Sequence, residues 1–495
     1  MSYTSRKQWL SISPSPLAGN GGDGGAETGT DAVSHTWPHP HPYPPPSRGR
    51  ESARTGSLID YLTNVLGTIL VLSLMLSTRV ALGFCGFYVA KADAKLFNKS
   101  SKVVLARNGN STAITMASDY EGAPKEFAVV IPVPTSIERK QISVVETKTI
   151  DHLDTFTAPR LAEYHDPDPC APRMDYMASA PLSFAIGGAR KLASRGEAAY
   201  GVTIEARYEV AEYDVLILSA KESGGLATWL TENGYRIPDG AAEVLASYIK
   251  QNMRFFVARV NLERMDAIGK SYLRPLQVRY DSPKFMLPLR LGTVNASGPQ
   301  DLIVYALSRN GRVETTNYRT VKLPSDVDVP LYVKEDFGRF YTAMFDQAVR
   351  DADMRAVFTE YAWDMGWCDP CAGQPLSAAE LAELGTEWAG SNANASRRIA
   401  AGGGVFVTRL HVRYDAAHFP EDLALMETHD RTNFQARYVL RHPWRGAATC
   451  REGIAYRSAL QQRFKDEAQN LASLTGWTVD EITQRMAASG EVIWR

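Results

Sequence analysis

Short runs in which apolar and polar side chains alternate fill much of the chain after residue 84, and such runs are typical of β-strands. Turn residues separate the first four runs, which are 101–105 (SKVVL), 112–117 (TAITMA), 127–132 (FAVVIP) and 142–146 (ISVVE). Asn108-Gly109 predicts a hairpin turn between the first two, because both residues tolerate positive backbone φ. Further strands are predicted at 202–210, 214–219, 254–262, 276–280, 286–291, 302–308 and 312–318.

Helical spacing of apolar residues marks two other parts of the chain. Leu226, Trp229 and Leu230 share one face of a predicted helix, and a second helix follows at 241–251. Later helices are predicted at 336–357, 378–384, 457–474 and 479–488, with strands at 358–363, 405–414 and 434–440. We therefore predict an α+β fold, with a β-rich, mostly antiparallel N-terminal part that carries a helical insert and a helix-rich α/β C-terminal third.

The chain divides into four segments by composition. Residues 1–57 carry too few apolar side chains to form a core and are predicted to be a disordered extension. Residues 58–83 contain an apolar core at 65–76 and end in Ala81-Leu-Gly83, which is typical of a secretory signal peptide cut after Gly83. An uncleaved membrane anchor over 58–84 is the alternative. A β-rich domain at 84–325, with its helix pair near 226–251, and a mixed α/β region at 326–495 are then expected.

One short sequence is repeated. LQVRYD at 276–281 returns as LHVRYD at 410–415, and a turn follows each copy before Phe285 or Phe419. A looser copy lies at 118–127. The repeat indicates either a duplicated hairpin unit or the common turn chemistry of β-proteins.

The charge balance changes the expected partners. The chain has 54 basic and 55 acidic residues and a net charge of -1, so it lacks an overall basic field for nucleic acid. We predict no nucleic-acid partner and no cofactor, and no stable transmembrane segment after signal cleavage.

Several motifs together resemble one bacterial family. They are 84–93 (FCGFYVAKAD), 124–134 (PKEFAVVIPVP), 164–170 (YHDPDPC), 361–371 (YAWDMGWCDPC) and 437–444 (RYVLRHPW). Their combination resembles the exported family called domain of unknown function 2330, over essentially the whole chain after residue 83. The resemblance implies an exported bacterial protein and brings no assigned activity.

Five cysteines are the main candidates for covalent chemistry: Cys85, Cys170, Cys368, Cys371 and Cys450. Thiols of an exported protein reach an oxidising compartment and tend to form disulfides, and an odd number leaves one over. A Cys368–Cys371 bond would hold a tight turn, and a Cys85–Cys170 bond would tie the start of the exported chain to a distant loop. The sequence leaves the connectivity open.

The sequence WCDPC at 367–371 supports an alternative, a thioredoxin-like thiol-disulfide oxidoreductase. Cys368 would be its nucleophile and Cys371 its resolving thiol. That chemistry is favoured when the first cysteine lies at a helix N-terminus, where the helix dipole stabilises the thiolate. Here the next predicted helix begins only after Ser377, so structural disulfides are preferred.

No metal site is predicted, because a single C-x-x-C supplies only two ligands. The nearest further ligands, which are weak candidates, are His165, Asp166 and Asp168 in a proline-rich loop. Glu360 and Asp364 are candidate paired carboxylates, and we expect them to be solvated.

These patterns favour a periplasmic or secreted protein that acts as a disulfide-stabilised binding or envelope-structural module. An envelope component is then the expected kind of partner, and the sequence does not decide whether the chain is an enzyme.

Overall fold

The computed structural model describes residues 87–90, 97–121, 127–171, 202–221, 223–232, 237, 240–267, 273–294, 296, 298–370, 372–389 and 404–491. The predicted extension at 1–57, the predicted signal peptide at 58–83, Cys85 and Cys371 lie outside these residues. All elements below belong to one compact unit, Thr78–Arg495.

The described strands are β1 Phe87–Ala90, β2 Phe97–Asn108, β3 Ser111–Glu121, β4 Phe127–Val133, β5 Ile142–Val144, β6 Arg160–His165, β7 Val202–Val210, β8 Tyr213–Ala220, β9 Arg254–Val260, β10 Leu276–Asp281, β11 Met286–Leu287, β12 Gln300–Ser308, β13 Val313–Thr315, β14 Arg319–Lys322, β15 Val327–Asp328, β16 Ala356–Asp364, β17 Phe406–Tyr414, β18 Leu423–Glu427, β19 Phe434–Gln435 and β20 Arg437–His442. The described α-helices are α1 Thr147–Thr157, α2 Ser223–Glu232, α3 Ala241–Lys250, α4 Leu262–Ala267, α5 Arg290–Val294, α6 Phe337–Asp351, α7 Ala378–Glu383, α8 Arg451–Thr475 and α9 Val479–Ala488.

A mixed sheet with the strand order β14-β16-β17-β12-β2-β3-β10-β5 is the centre of the fold, and β19 adds to β16. β12 runs parallel to β2, and β14 runs parallel to β16; the other described pairs in this sheet are antiparallel. The predicted hairpin at Asn108-Gly109 is confirmed, since Gly109 has a φ of +58° and joins β2 to β3. Strands from both sides of residue 325 share this sheet, so the predicted domain boundary does not interrupt it.

A second sheet, with the order β1-β4-β9-β8-β7, packs on one face of the first. Side chains such as Ile131 and Phe256 from the second sheet meet Leu105 and Val304 from the first in a shared apolar core. The predicted helix pair is present as α2 and α3, whose leucines cover the outer face of the second sheet. Burial of these apolar surfaces is the main force that holds the layers together.

Helices cover the other face of the central sheet. Leu153 and Phe156 of α1 pack on Val104 and Leu307 of the sheet. Beside them α6, α8 and α9 pack around β20, and we call these three helices the C-terminal helical layer. Together with the strands, this arrangement confirms the predicted α+β fold.

Two element boundaries differ from the predictions for identifiable reasons. The strand predicted at 286–291 ends at Leu287, because Asp422 accepts hydrogen bonds from the backbone N–H groups of Leu289 and Arg290 and α5 begins there. The helix predicted from residue 457 begins at Arg451, because Cys450 caps it: its sulfur accepts from the Gly453 N–H at 3.1 Å. Both caps are side chains that the local pattern does not reveal.

Among the residues that the structure describes, no helix combines the length and the apolar character needed to span a bilayer.

Candidate functional site

A disulfide joins Cys170 to Cys450, two residues that are 280 positions apart in the sequence. It connects the loop after β6 to the first residue before α8. Cys170 is therefore bonded to Cys450. The Cys85–Cys170 pairing considered from the sequence is wrong. The sequence did not reveal this disulfide because its two cysteines follow β6 and β20, which are distant in sequence. The two strands become neighbours only in the folded sheet, where they run parallel.

Cys368 is a free and exposed thiol. It follows β16 in an irregular loop, and α7 begins ten positions later with Ser377 as its N-cap. Since no helix begins at Cys368, the dipole that activates thioredoxin-like cysteines does not act on it. The neighbouring Asp369 is buried and accepts hydrogen bonds from Tyr361 and Gln435, so this part of the motif is a structural anchor.

The three weak metal candidates have other partners. Asp166 accepts hydrogen bonds from Tyr456 at 2.6 Å and from Arg463 at 2.7 Å, and Asp168 accepts from the backbone of Cys170 at 2.8 Å. The His165 ring stacks on His442. The described residues contain no cluster of three or more histidine, cysteine or acidic side chains that could hold a metal ion.

Glu360 and Asp364 are not a solvated carboxylate pair, so that expectation is wrong. Glu360 is fully buried, and Asp364 binds Arg431 at 2.5 Å. The physical reason is an irregularity in β16 between Thr359 and Tyr361, where the register against β17 shifts. Such a bulge redirects a side chain, and here Glu360 reaches Arg409 and His411 on β17.

Glu360 is the centre of a buried charged network, which we call the Glu360 network and define as Glu360, Arg409, His411, Tyr341 and Asp154. Glu360 accepts from Arg409 Nε at 2.5 Å, lies 2.8 Å from His411 Nδ1 and accepts from the Tyr341 hydroxyl. Arg409 also donates to Asp154 at 2.5 Å. The network thereby connects the sheet to α1 and to α6 of the C-terminal helical layer.

The partners of Glu360 determine its protonation state. Burial alone would raise the pKa of its carboxyl group, but the positive charge of Arg409, the His411 ring and the hydrogen bonds outweigh burial and lower the pKa to about 2. Burial raises the pKa of the Tyr341 hydroxyl well above its ordinary value, and the negative charge of Glu360 adds to that effect. Glu360 is therefore ionised at neutral pH, and the neutral Tyr341 hydroxyl donates a hydrogen bond to it.

The geometry of the Glu360 network fits a structural role better than a catalytic one. A ring stack with Phe345 covers His411 at 3.6 Å between centroids, and Arg409 is almost entirely buried. Neither of the two cavities described for this protein is lined by a network residue. Glu360, Arg409 and His411 are buried, so a reacting molecule would have to displace packed side chains to reach these three groups.

The larger of those two cavities is a surface cleft of about 510 Å³, a size within the usual range for small-molecule sites. We call it the Arg290 cleft and define it by Lys284, Met286, Arg290, Asn317, Asp422 and Leu425, which line it. The other cavity, of about 300 Å³, lies between β14 and the C-terminal helical layer and is lined by Val321, Lys322 and Met344, among others.

Hydrogen bonds fix the walls of the Arg290 cleft. β11 pairs with β18 in its floor, with Met286 opposite Ala424. Asn317 donates to the Asp422 carbonyl at 2.8 Å and accepts from the Ala424 N–H at 3.0 Å. Asp422 in turn accepts from the Tyr248 hydroxyl at 2.6 Å, which ties the floor to α3.

A family comparison covers most of these elements. The family model described as an uncharacterized protein conserved in bacteria, domain of unknown function 2330, matches residues 80–426. The chain belongs to the DUF2330 family. This confirms the resemblance, although the match ends before the motif at 437–444 and before Cys450. No curated protein and no solved structure matches the chain.

The residues that line the Arg290 cleft in this DUF2330 protein were not among the predicted site residues, because they come from separate loops. One sequence signal was available. Lys284 follows the first copy of the repeated hexapeptide, and Asp422 follows the second, and the strands after the two copies, β11 and β18, pair with each other. The repeat thus marks the two loops that meet at the cleft.

Proposed function

We propose that this DUF2330 protein is exported and acts as a disulfide-stabilised binding or envelope-structural module in the periplasm or outside the cell. The Cys170–Cys450 disulfide carries this proposal. Such bonds persist in oxidising compartments and are rare in the bacterial cytosol, where thiols are kept reduced. The signal-peptide pattern at 58–83 supports the same location.

A binding role fits the described surface better than thiol chemistry does. Cys368 lacks the helix N-terminus that would activate it, and Glu360, Arg409 and His411 of the Glu360 network are buried. The Arg290 cleft is open, has a fixed floor and offers charged side chains at its wall. The protein therefore presents a preformed concave site.

The test is a cysteine count on the protein from fractionated cells. Alkylation with a mass-tagged reagent, before and after reduction, should show Cys170 and Cys450 protected until a reductant is added. Sequencing of the same periplasmic or secreted protein should give Phe84 as its first residue. Cys368→Ser is the matched control, since it removes one thiol and should leave the Cys170–Cys450 bond in place.

One result would contradict the proposal. An unprocessed chain found in the cytosol, with Cys170 and Cys450 both labelled before reduction, contradicts export and the role of the disulfide together.

A further inference from the structure

The cationic groups of the Arg290 cleft are positioned by one helix. Arg290 Nη1 donates to Ser247 Oγ at 2.7 Å, and Lys284 Nζ donates to Gln251 Oε1 at 3.3 Å. Ser247 lies in the last turn of α3, and Gln251 is the C-cap residue four positions later. Residues at this spacing are neighbours on one helix face, with Cβ atoms about 5–6 Å apart. The guanidinium and the ammonium group are therefore each bonded to the same end of α3, on residues one helical turn apart.

Among the described residues, these two cations have partners for only part of their hydrogen-bonding capacity. The Arg290 side chain makes its single described side-chain hydrogen bond through Nη1, which leaves Nε and Nη2 without a partner among the described residues. Lys284 is exposed and makes one long bond out of the three that an ammonium group can donate. A guanidinium with a free edge is suited to bind two oxygens of a carboxylate or a phosphate.

One of the two carboxylates that line the cleft, Asp422, is engaged in its wall. Asp422 Oδ1 accepts three hydrogen bonds, from the Tyr248 hydroxyl and from the N–H groups of Leu289 and Arg290. Glu421 accepts from the Asn317 amide at 3.2 Å. The Asp422 carboxylate is held in place by its three bonds, and no ion pair joins Arg290 or Lys284 to an acidic side chain among the described residues.

An apolar surface adjoins the cations. Met286, Ala424 and Leu425 line the same cleft, and their backbones are held by the β11–β18 pairing. A purely ionic ligand would leave this surface in contact with water. A ligand that carries both an anionic group and an apolar group would satisfy the cations and cover the apolar floor.

We propose that the Arg290 cleft binds a small amphipathic anion, with its carboxylate or phosphate on Arg290 and Lys284 and its apolar part on Met286 and Leu425. This inference rests on the proposed binding function and names its ligand class. A single anion whose oxygens reach both cations would form charge-assisted hydrogen bonds with each of them.

Calorimetric titration of the purified full chain tests the proposal with four probes at fixed ionic strength: phenyl phosphate, 3-phenylpropionate, 3-phenylpropionamide and inorganic phosphate. We expect both amphipathic anions to bind at one site. The uncharged amide should bind about tenfold more weakly than the acid, because a charge-assisted hydrogen-bond pair is lost. Inorganic phosphate should bind more weakly than phenyl phosphate, because it leaves the apolar floor uncovered.

Three variants assign the binding to the cleft. Arg290→Gln should weaken phenyl phosphate binding by about tenfold or more, and Lys284→Gln by a smaller factor. Arg457→Gln is the matched control, because Arg457 is exposed on α8 and has no described partner, and it should bind as the unaltered chain does. Lys284 is exposed, so its replacement should leave folding intact even if Arg290→Gln does not fold. Phenyl phosphate should also protect Lys284 from acetylation, as read by mass spectrometry.

Three outcomes would overturn the proposal: no saturable binding of either amphipathic anion, equal affinity for the acid and its amide, or unchanged affinity in both the Arg290→Gln and Lys284→Gln variants. Tighter binding of phenyl phosphate than of 3-phenylpropionate would assign a phosphate ligand, and the reverse order a carboxylate ligand. Failure here with Cys170 and Cys450 still paired in an exported chain would reject the ligand class and leave the export proposal standing.

Discussion

The Glu360 network and the Arg290 cleft both collect charged side chains from distant parts of the chain, but they use the charges differently. In the network, Glu360 and Arg409 are buried and bind each other and further partners. In the cleft, Arg290 is half-buried and keeps most of its guanidinium unpaired among the described residues. We therefore base the proposed binding site on donors that have no partner among the described residues and lie beside an open cavity, and not on a cluster of charges alone.

Because the network charges are buried and the cleft charges are not, we expect charge removal to change the free energy of unfolding more in the network than in the cleft. Taking a charge out of water costs several kcal/mol, and a buried pair offsets that cost only while all its partners are present. The Glu360 network should thus respond strongly to the loss of one member. The cleft charges remain hydrated, so replacing one should change ligand binding more than folding stability.

The largest expected effect is in the network. Glu360→Gln should lower the free energy of unfolding by about 3–5 kcal/mol, because Arg409 would keep only Asp154 as an ionic partner in a buried place. Urea denaturation at neutral pH measures this change. Glu335→Gln, which replaces an exposed carboxylate without a described ion pair, is the control and should change stability by less than about 0.5 kcal/mol.

The same network has a predictable pH dependence. The pKa of Glu360 is lowered from 4.5 to about 2, so its contribution is complete above pH 4.5 and is lost as the pH falls from 4.5 towards 2. Stability of the Glu360→Gln variant should lack this part of the acid-induced loss. An equal acid response in both proteins would contradict the role of the network.

The second effect concerns the disulfide that attaches the C-terminal helical layer to the β6 loop. Cys450→Ser should lower the free energy of unfolding by about 2–4 kcal/mol, because the unfolded chain is no longer cross-linked between residues 170 and 450. Adding a reductant to the unaltered protein should have the same effect and should have none on the variant. Denaturation curves that do not change on reduction would contradict this prediction.

The third effect has the opposite sign. Glu467 of α8 is buried, its Oε1 makes no hydrogen bond among the described residues, and Glu491 lies near enough to repel it. Burial first, and then the charge of Glu491, raise the pKa of Glu467 from 4.5 to about 8. Because the folded pKa is raised, the contribution of Glu467 to stability is greatest below pH 4.5 and declines as the pH rises to 8.

Glu467→Gln should therefore stabilise the protein by about 1–3 kcal/mol at pH 8 and by much less at pH 4.5. Thermal or urea denaturation at both pH values measures the difference. A variant that is less stable than the unaltered protein at pH 8 would show that Glu467 acts as an ionised partner of Arg463, whose Nε lies 3.4 Å away.

The smallest effect belongs to the rim of the cleft. Glu421→Gln removes an exposed negative charge near the proposed anion site and should tighten phenyl phosphate binding by about two- to threefold, less at high salt. Calorimetric titration at two salt concentrations measures it. A loss of affinity would place the anion away from Arg290 and Lys284.

Local pattern was sufficient for much of the fold. The alternation in 101–105 and 112–117, with Asn108-Gly109 between them, predicts the β2–β3 hairpin without further information. The spacing of Leu226 and Leu230 likewise predicts a helix with one buried face. These features depend on neighbours within a few residues, which is the range that a sequence pattern contains.

The candidate site depended on longer-range information. The strand pattern around Glu360 does not reveal the register shift that turns its side chain towards Arg409. The partner of Cys170 follows from the parallel pairing of β6 with β20, which no local signal encodes. Predicting the Arg290 cleft would have required the loops after the two copies of the repeated hexapeptide to be recognised as spatial neighbours. The sequence alone left that interpretation open.

A crystal of the full chain with 4-iodophenyl phosphate would show where an amphipathic anion binds, because the iodine and the phosphate can be located separately. We predict an anomalous peak over Met286 and Leu425, with the phosphate oxygens within hydrogen-bonding distance of Arg290. A peak among the residues of the Glu360 network, or an Arg290 cleft that stays free of the compound in a crystal that binds it elsewhere, would contradict anion binding by the Arg290 cleft.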